Sequence, residues 1–170
     1  DVLKLVLNET TQINVEVRKA YGIPQVVADR RPKCLFISYS GNTEETVEAV
    51  NDAIKNNLDW SVISSGGQLL ELATQHERPF VKVPQGLQPR AAFGLMTKAV
   101  MHYVSSDKDG KYLELCNQAG DYLNDVLANQ SENELLTQAL NISKEISTKT
   151  SLIYGGTPLT YLVAQRWKTQ

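Results

Sequence analysis

A short apolar run at residues 33–39 (KCLFISY) is the feature that most restricts how this chain can fold. A strand with one solvated face alternates apolar and polar residues, whereas this nearly continuous run is typical of a strand covered on both faces in a parallel sheet. The segment that follows places Val47, Val50 and Ile54 on one face of a helix. Together the two patterns predict a strand followed by a helix that covers it.

Strand-like and helical patterns continue to alternate after this unit. Alternation of this kind favours an α/β fold, because crossover helices join parallel strands through right-handed connections. Besides the run at 33–39, the patterns predict strands at 13–17, 60–64, 79–83 and 151–154. They predict helices at 1–7, 43–56, 68–75, about 90–104, 111–128 and 132–147, and a further helix near Pro158.

Composition narrows the classes of partner. The 170 residues are 42% hydrophobic and 21% charged, which is typical of a globular domain with a buried core. A net charge of −2, from 17 basic and 19 acidic residues, predicts neither a nucleic-acid partner nor a membrane surface. Cys34 and Cys116 lack metal-ligand spacing, so we expect two thiols in a reducing cytoplasm.

Both ends of the sequence carry helical patterns without the usual boundaries. Residues 1–7 have the pattern of a helix interior with no capping residue before them, and another helical pattern at 161–168 runs almost to Gln170. We therefore expect this sequence to be a piece of a longer protein.

The segment between the apolar run and the first helix has the composition of an anion-binding loop. Three of its residues carry hydroxyls: Ser38, Ser40 and Thr43. Gly41 tolerates a positive φ, and Asn42 with Glu45 has the spacing of a capping box. A helix begins next, and its free N–H groups and positive dipole end favour an anion.

This loop favours a small phosphate ester over a nucleotide. It lacks the lysine of a P-loop and the spacing of GxGxxG. Glu44 and Glu45 would repel a phosphate, so we expect both carboxylates to point away from it. An ordinary Ser/Gly/Asn turn with a good helix cap is the alternative interpretation.

Residues 38–46 (SYSGNTEET) resemble the signature of sugar isomerase (SIS) domains. More narrowly, the chain resembles the bifunctional phosphoglucose/phosphomannose isomerase family. Three further segments carry this resemblance, which covers nearly the whole chain: SSGG at 64–67, PQGLQPRAA at 84–92, and YGG at 154–156 followed by AQRWK at 164–168.

The resemblance implies a fold and a division into domains. The fold would be an α/β, three-layer, doubly wound parallel-sheet SIS domain of flavodoxin-like type. Residues 1–128 would form a first SIS domain that lacks its first strand and Gly-Ser loop. Residues 129–148 would be a connecting helix, and 149–170 the truncated start of a second SIS domain.

The resemblance also implies a site and a reaction. Ser38, Ser40 and Thr43 would hold the substrate phosphate, and Arg90 would stabilise charge on an enediol(ate) intermediate. The parent enzyme would interconvert glucose 6-phosphate and fructose 6-phosphate, with mannose 6-phosphate as a candidate further substrate. It would be a cytoplasmic homodimer that needs no cofactor or metal. The family's base glutamate and ring-opening histidine would lie beyond Gln170, so the chain alone should bind weakly and not turn over.

Two other functions share the phosphate loop. One is a non-catalytic SIS domain that senses a sugar phosphate and regulates another protein. The other is an SIS enzyme that forms or isomerises amidosugars, which the Pro-Arg-Ala segment around Arg90 disfavours.

Overall fold

The computed structural model describes residues 4, 6, 14–105, 110–128 and 134–169. Helices and strands alternate in the first half of the chain, and the described residues of the second half form helices but no strands. In chain order, the elements with described bounds are α1 (Gln25–Ala28), β1 (Lys33–Ile37), α2 (Glu44–Lys55), β2 (Asp59–Ser64), α3 (Gly67–Gln75), β3 (Phe80–Lys82), α4 (Phe93–Ser105), α5 (Lys111–Ala128), α6 (Glu134–Ile146) and α7 (Pro158–Thr169).

The three strands form a parallel sheet in the order β1-β2-β3. Lys33 pairs with Asp59 at one end of the first ladder, and Ile63 pairs with Val81 in the second. The sheet confirms the predicted α/β class. The strand buried on both faces is β2, however, and not β1 as the apolar run predicted. Within the described residues β1 lies at the edge of the sheet, which leaves its middle residues half-buried.

Helices cover both faces of this sheet, because successive residues of a strand point to opposite sides. Val62 packs in a cluster with residues of α2 and α3, including Val50 and Leu69. Its neighbour Ile63 packs in a second cluster with Val83 and with α4. The carboxyl ends of the strands, where ligands bind in open α/β sheets, therefore form an edge between two helical layers.

Two of the predicted strands are wrong over the described residues. Residues 14–17 and 151–154 have no regular structure, because neither segment pairs with the sheet. Val15 instead packs against Met101 and Tyr112. The helix predicted at 1–7 lies outside the described residues except for Lys4 and Val6, which are both helical. None of the helices in the described ranges has the length and apolar character needed to cross a bilayer.

Gly120 in the interior of α5 gives a prediction about stability. A Cβ added there would meet no atom within 4 Å, so alanine should cost nothing sterically. We expect Gly120→Ala to raise the free energy of unfolding by about 0.5–1 kcal/mol, measured by urea denaturation. Ala119→Gly, one residue earlier on the same helix, is the opposite substitution and serves as the control. It should lower the free energy of unfolding by a similar amount. A destabilising Gly120→Ala would contradict the open space seen beside α5.

Candidate functional site

The three predicted hydroxyl residues come together directly after β1. The Ser38 Oγ lies 2.7 Å from the Thr43 Oγ1 and 3.4 Å from the Ser40 Oγ. Backbone N–H groups hold the two serines, since Gly41 donates to the Ser38 Oγ at 3.1 Å and Asn42 to the Ser40 Oγ at 3.3 Å. Ser38 is buried, whereas Ser40 and Thr43 are exposed. We call these three side chains the hydroxyl cluster.

The hydroxyl cluster lies at the amino end of α2. Thr43 is the N-cap, and its carbonyl accepts hydrogen bonds from the backbone N–H groups of Thr46 and Val47. The prediction that Asn42 and Glu45 form a capping box is wrong, because the helix begins one residue later and its N-cap, Thr43, makes no side-chain cap hydrogen bond. The Thr43 hydroxyl is paired with Ser38 instead. The positive end of the α2 dipole therefore faces the cluster without a side-chain cap.

Asn42 serves the next helix in the chain. Its side-chain oxygen accepts a hydrogen bond from the Gln68 N–H at 3.0 Å, and the Gly41 carbonyl accepts one from the Leu69 N–H at 3.0 Å. The loop after β1 thus satisfies two donors in the first turn of α3. Gly67 makes this approach possible, since its φ is +68° and an added Cβ would lie 2.6 Å from the Asn42 Oδ1.

Tyr39 joins the loops that follow all three strands. Its carbonyl accepts hydrogen bonds from the backbone N–H and hydroxyl of Ser65, at 3.0 and 2.6 Å. Its phenol donates to the Pro84 carbonyl at 3.1 Å and accepts from the Leu87 N–H at 2.9 Å. Gln85 adds a further link by donating to the Ser65 carbonyl at 2.8 Å. Sequence reasoning missed this role of Tyr39. A signal was present, because Leu35, Ile37 and Tyr39 are alternate residues of one run, and Leu35 and Tyr39 pack in the same apolar cluster.

Arg90 lies on the loop after β3, in an exposed turn just before α4. The helix predicted from about residue 90 begins at Phe93. The Arg90 carbonyl accepts a hydrogen bond from the Arg166 side chain of α7, whose guanidinium lies 4.9 Å from the centre of the Phe93 ring. The loop that carries Arg90 is bonded to Tyr39, the residue between Ser38 and Ser40, because the Leu87 N–H donates to the Tyr39 hydroxyl.

The chain is similar to several curated proteins that share one description. The chain is 38% identical to a bifunctional phosphoglucose/phosphomannose isomerase of Thermoplasma acidophilum over 152 residues, which are 88% of this chain and 44% of that protein. A protein of the same description from Aquifex aeolicus is 37% identical, over 91% of this chain and 44% of that protein. Another, from Caldicellulosiruptor bescii, is 30% identical, over 100% of this chain and 51% of that protein. The chain resembles the bifunctional phosphoglucose/phosphomannose isomerases.

The chain spans about half the length of the curated relatives that it matches. No family model matches it, and no solved structure matches it at a significant level.

Three of the segments that carry the resemblance to the phosphoglucose/phosphomannose isomerases lie at the carboxyl ends of the strands. Residues 38–46, 64–67 and 84–92 follow β1, β2 and β3 respectively, and hydrogen bonds of Tyr39 and Gln85 connect them. Of the last segment, residues 164–168 contact the third segment through Arg166 and Arg90. Hydrogen bonds therefore connect motifs that lie far apart in the sequence.

One of the two acidic residues beside the cluster, Glu44, has a partner elsewhere. Glu44 accepts a hydrogen bond from the Tyr21 hydroxyl at 3.4 Å. The negative charge of Glu44, and then that of Glu45, raises the pKa of Tyr21 above its ordinary value. Glu44 therefore has a partner outside the cluster. Among the described residues, no group of three or more His, Cys, Asp or Glu side chains could hold a metal ion.

Proposed function

We propose that this chain is part of a sugar-phosphate isomerase and that the hydroxyl cluster binds the phosphate of its substrate. The observation that carries the proposal is the convergence of Ser38, Ser40 and Thr43 at the uncapped amino end of α2. Both serine oxygens accept backbone N–H groups, which leaves their protons to be donated. One hydroxyl proton is used in the bond between Ser38 and Thr43, so a bound phosphate would replace that bond to gain all three donors. Three hydroxyl donors beside a positive helix end favour a phosphate dianion.

The proposed reaction is the interconversion of glucose 6-phosphate and fructose 6-phosphate through an enediol, with mannose 6-phosphate as a further substrate. The name that these relatives share covers both phosphoglucose and phosphomannose. A base would move a proton between C1 and C2 while Arg90 stabilises the oxyanion that develops. A guanidinium suits this role, because it keeps its charge at any physiological pH.

We also propose the larger arrangement that the resemblance implies. Residues 1–128 belong to one three-layer SIS domain, 129–148 form a helix that connects two domains, and 149–170 begin a second SIS domain. The parent protein is a homodimer. The exposed helix α6 supports a connecting role for that segment. Limited proteolysis of the full-length protein should cut first near residues 129–150, and light scattering should give the mass of a dimer. A first cut inside α2 or β2 would contradict this division.

The test of the proposed function is turnover by the full-length protein. With fructose 6-phosphate as substrate, the glucose 6-phosphate formed can be followed through a coupled dehydrogenase. Turnover supports the isomerase. Binding of hexose 6-phosphates without turnover would replace it with a sugar-phosphate sensor, and absence of both would overturn the assignment of the phosphate site.

Ser38→Ala should weaken binding of the sugar phosphate most directly. The change removes one donor to the phosphate and also the partner of the Gly41 N–H and of the Thr43 hydroxyl. A loss of about 1–3 kcal/mol corresponds to a Kd for fructose 6-phosphate that rises about 5–150-fold in calorimetric titration. Ser61→Ala is the matched control, since Ser61 is also a buried serine but lies in β2 and bonds to Tyr103. Equal Kd values for the two variants would exclude Ser38 from the site.

A further inference from the structure

We propose that Tyr39 is a positioning residue that fixes the loop carrying Arg90 against the hydroxyl cluster. This inference rests on the proposed function and adds a residue to that site. Tyr39 lies between Ser38 and Ser40 in the sequence, and its side chain leaves the cluster for the loop after β3.

The phenol of Tyr39 holds the loop at two points. The ring is partly buried with Ile63 and Val83, so packing fixes the direction of the hydroxyl. The hydroxyl donates to the carbonyl of Pro84, at the start of the loop, and accepts from the N–H of Leu87, three residues before Arg90. One oxygen atom thus ties the beginning and the middle of an exposed loop to a packed ring.

The main chain of Tyr39 is bonded to the loop after β2 and is continuous with the hydroxyl cluster, whereas its side chain contacts the loop after β3. Its carbonyl receives two hydrogen bonds from Ser65, and the residues on either side of it supply two of the three clustered hydroxyls. A substrate whose phosphate is held by the cluster would therefore have a fixed position relative to Leu87. Small errors in such positions matter, since a displacement of about 1 Å can reduce a rate on the order of 100-fold.

The residue type fits this role. A phenol hydroxyl donates one hydrogen bond and accepts another, and both functions are used within the loop. Tyr39 is therefore assigned to positioning and not to proton transfer. Phenylalanine would keep the ring packing and remove both links, which makes Tyr39→Phe the informative variant.

The first test is hydrogen exchange on the full-length protein, which needs no activity. In Tyr39→Phe we expect the Leu87 amide to exchange at least about tenfold faster, because it loses its acceptor. Tyr103→Phe is the matched control, since it removes another phenol hydroxyl from the same apolar cluster, one bonded to Ser61. Unchanged exchange at Leu87 in Tyr39→Phe would overturn the proposal, whatever the wild-type protein catalyses.

The second test separates positioning from phosphate binding. For Tyr39→Phe we expect kcat to fall about tenfold while KM for fructose 6-phosphate stays within about threefold, because the hydroxyl cluster is intact. Tyr103→Phe should leave both constants near those of the wild type. A rise in KM with unchanged kcat, or no kinetic change, would show that Tyr39 does not position Arg90. An inactive wild-type protein would instead count against the proposed function, and the exchange result would still decide the structural link.

Discussion

Replacing Gly41 with alanine should destabilise the protein by about 2–5 kcal/mol and weaken sugar-phosphate binding at least tenfold. Gly41 has a φ of +72°, which an L-residue adopts only with strain. An added Cβ would also lie 1.8 Å from the Gly66 carbonyl oxygen and 2.6 Å from the Ser64 Oγ. Both contacts are too short to exist, so the loops after β1 and β2 would have to separate. That separation would displace Ser38, which bonds to the Gly41 N–H.

Gly86→Ala provides the matched control for this prediction. Gly86 also has a positive φ, of +98°, but an added Cβ there would meet no atom within 4 Å. Gly86→Ala should therefore lower the free energy of unfolding only by the cost of the strained backbone conformation, about 1–2 kcal/mol in urea denaturation. The difference between the two variants measures the contact between the loops. If Gly41→Ala were no less stable than Gly86→Ala, the close packing of the loops would be wrong.

The sheet could be predicted because its signals are local. The apolar run at 33–39 and the patterns at 60–64 and 79–83 each contain their own evidence for a strand, and all three strands are confirmed. The segments at 14–17 and 151–154 show the limit of that reasoning. An alternating or apolar pattern specifies only what a strand would look like, and pairing also needs a neighbour at the right place.

The details of the site depended on contacts that no local pattern contains. Asn42 has the right spacing to cap its own helix, yet its side chain caps α3, the helix of the next unit. The capping rule considers one helix at a time, whereas the parallel sheet brings the loops of neighbouring units together. Tyr39 was missed for the same reason, because its partners Pro84 and Leu87 lie more than forty residues away.

Arg90→Ala should have the largest effect on catalysis, with kcat falling about 100–1,000-fold and KM changing little. The hydroxyl cluster would still hold the phosphate, so the loss should appear in the transition state, where an oxyanion develops. The fold should tolerate the change, because the side chain is exposed and the hydrogen bond from Arg166 goes to the Arg90 carbonyl. Steady-state kinetics of the full-length protein give both constants.

Two further variants decide what Arg90 contributes. Arg90→Lys keeps the charge but loses the planar fork of donors, so its kcat should lie between those of the wild type and of Arg90→Ala. Arg31→Ala removes an exposed arginine just before β1, at the amino ends of the strands and away from the hydroxyl cluster. It should leave turnover unchanged. An Arg90→Ala variant with normal kcat and raised KM would assign Arg90 to binding the substrate and not to the chemical step.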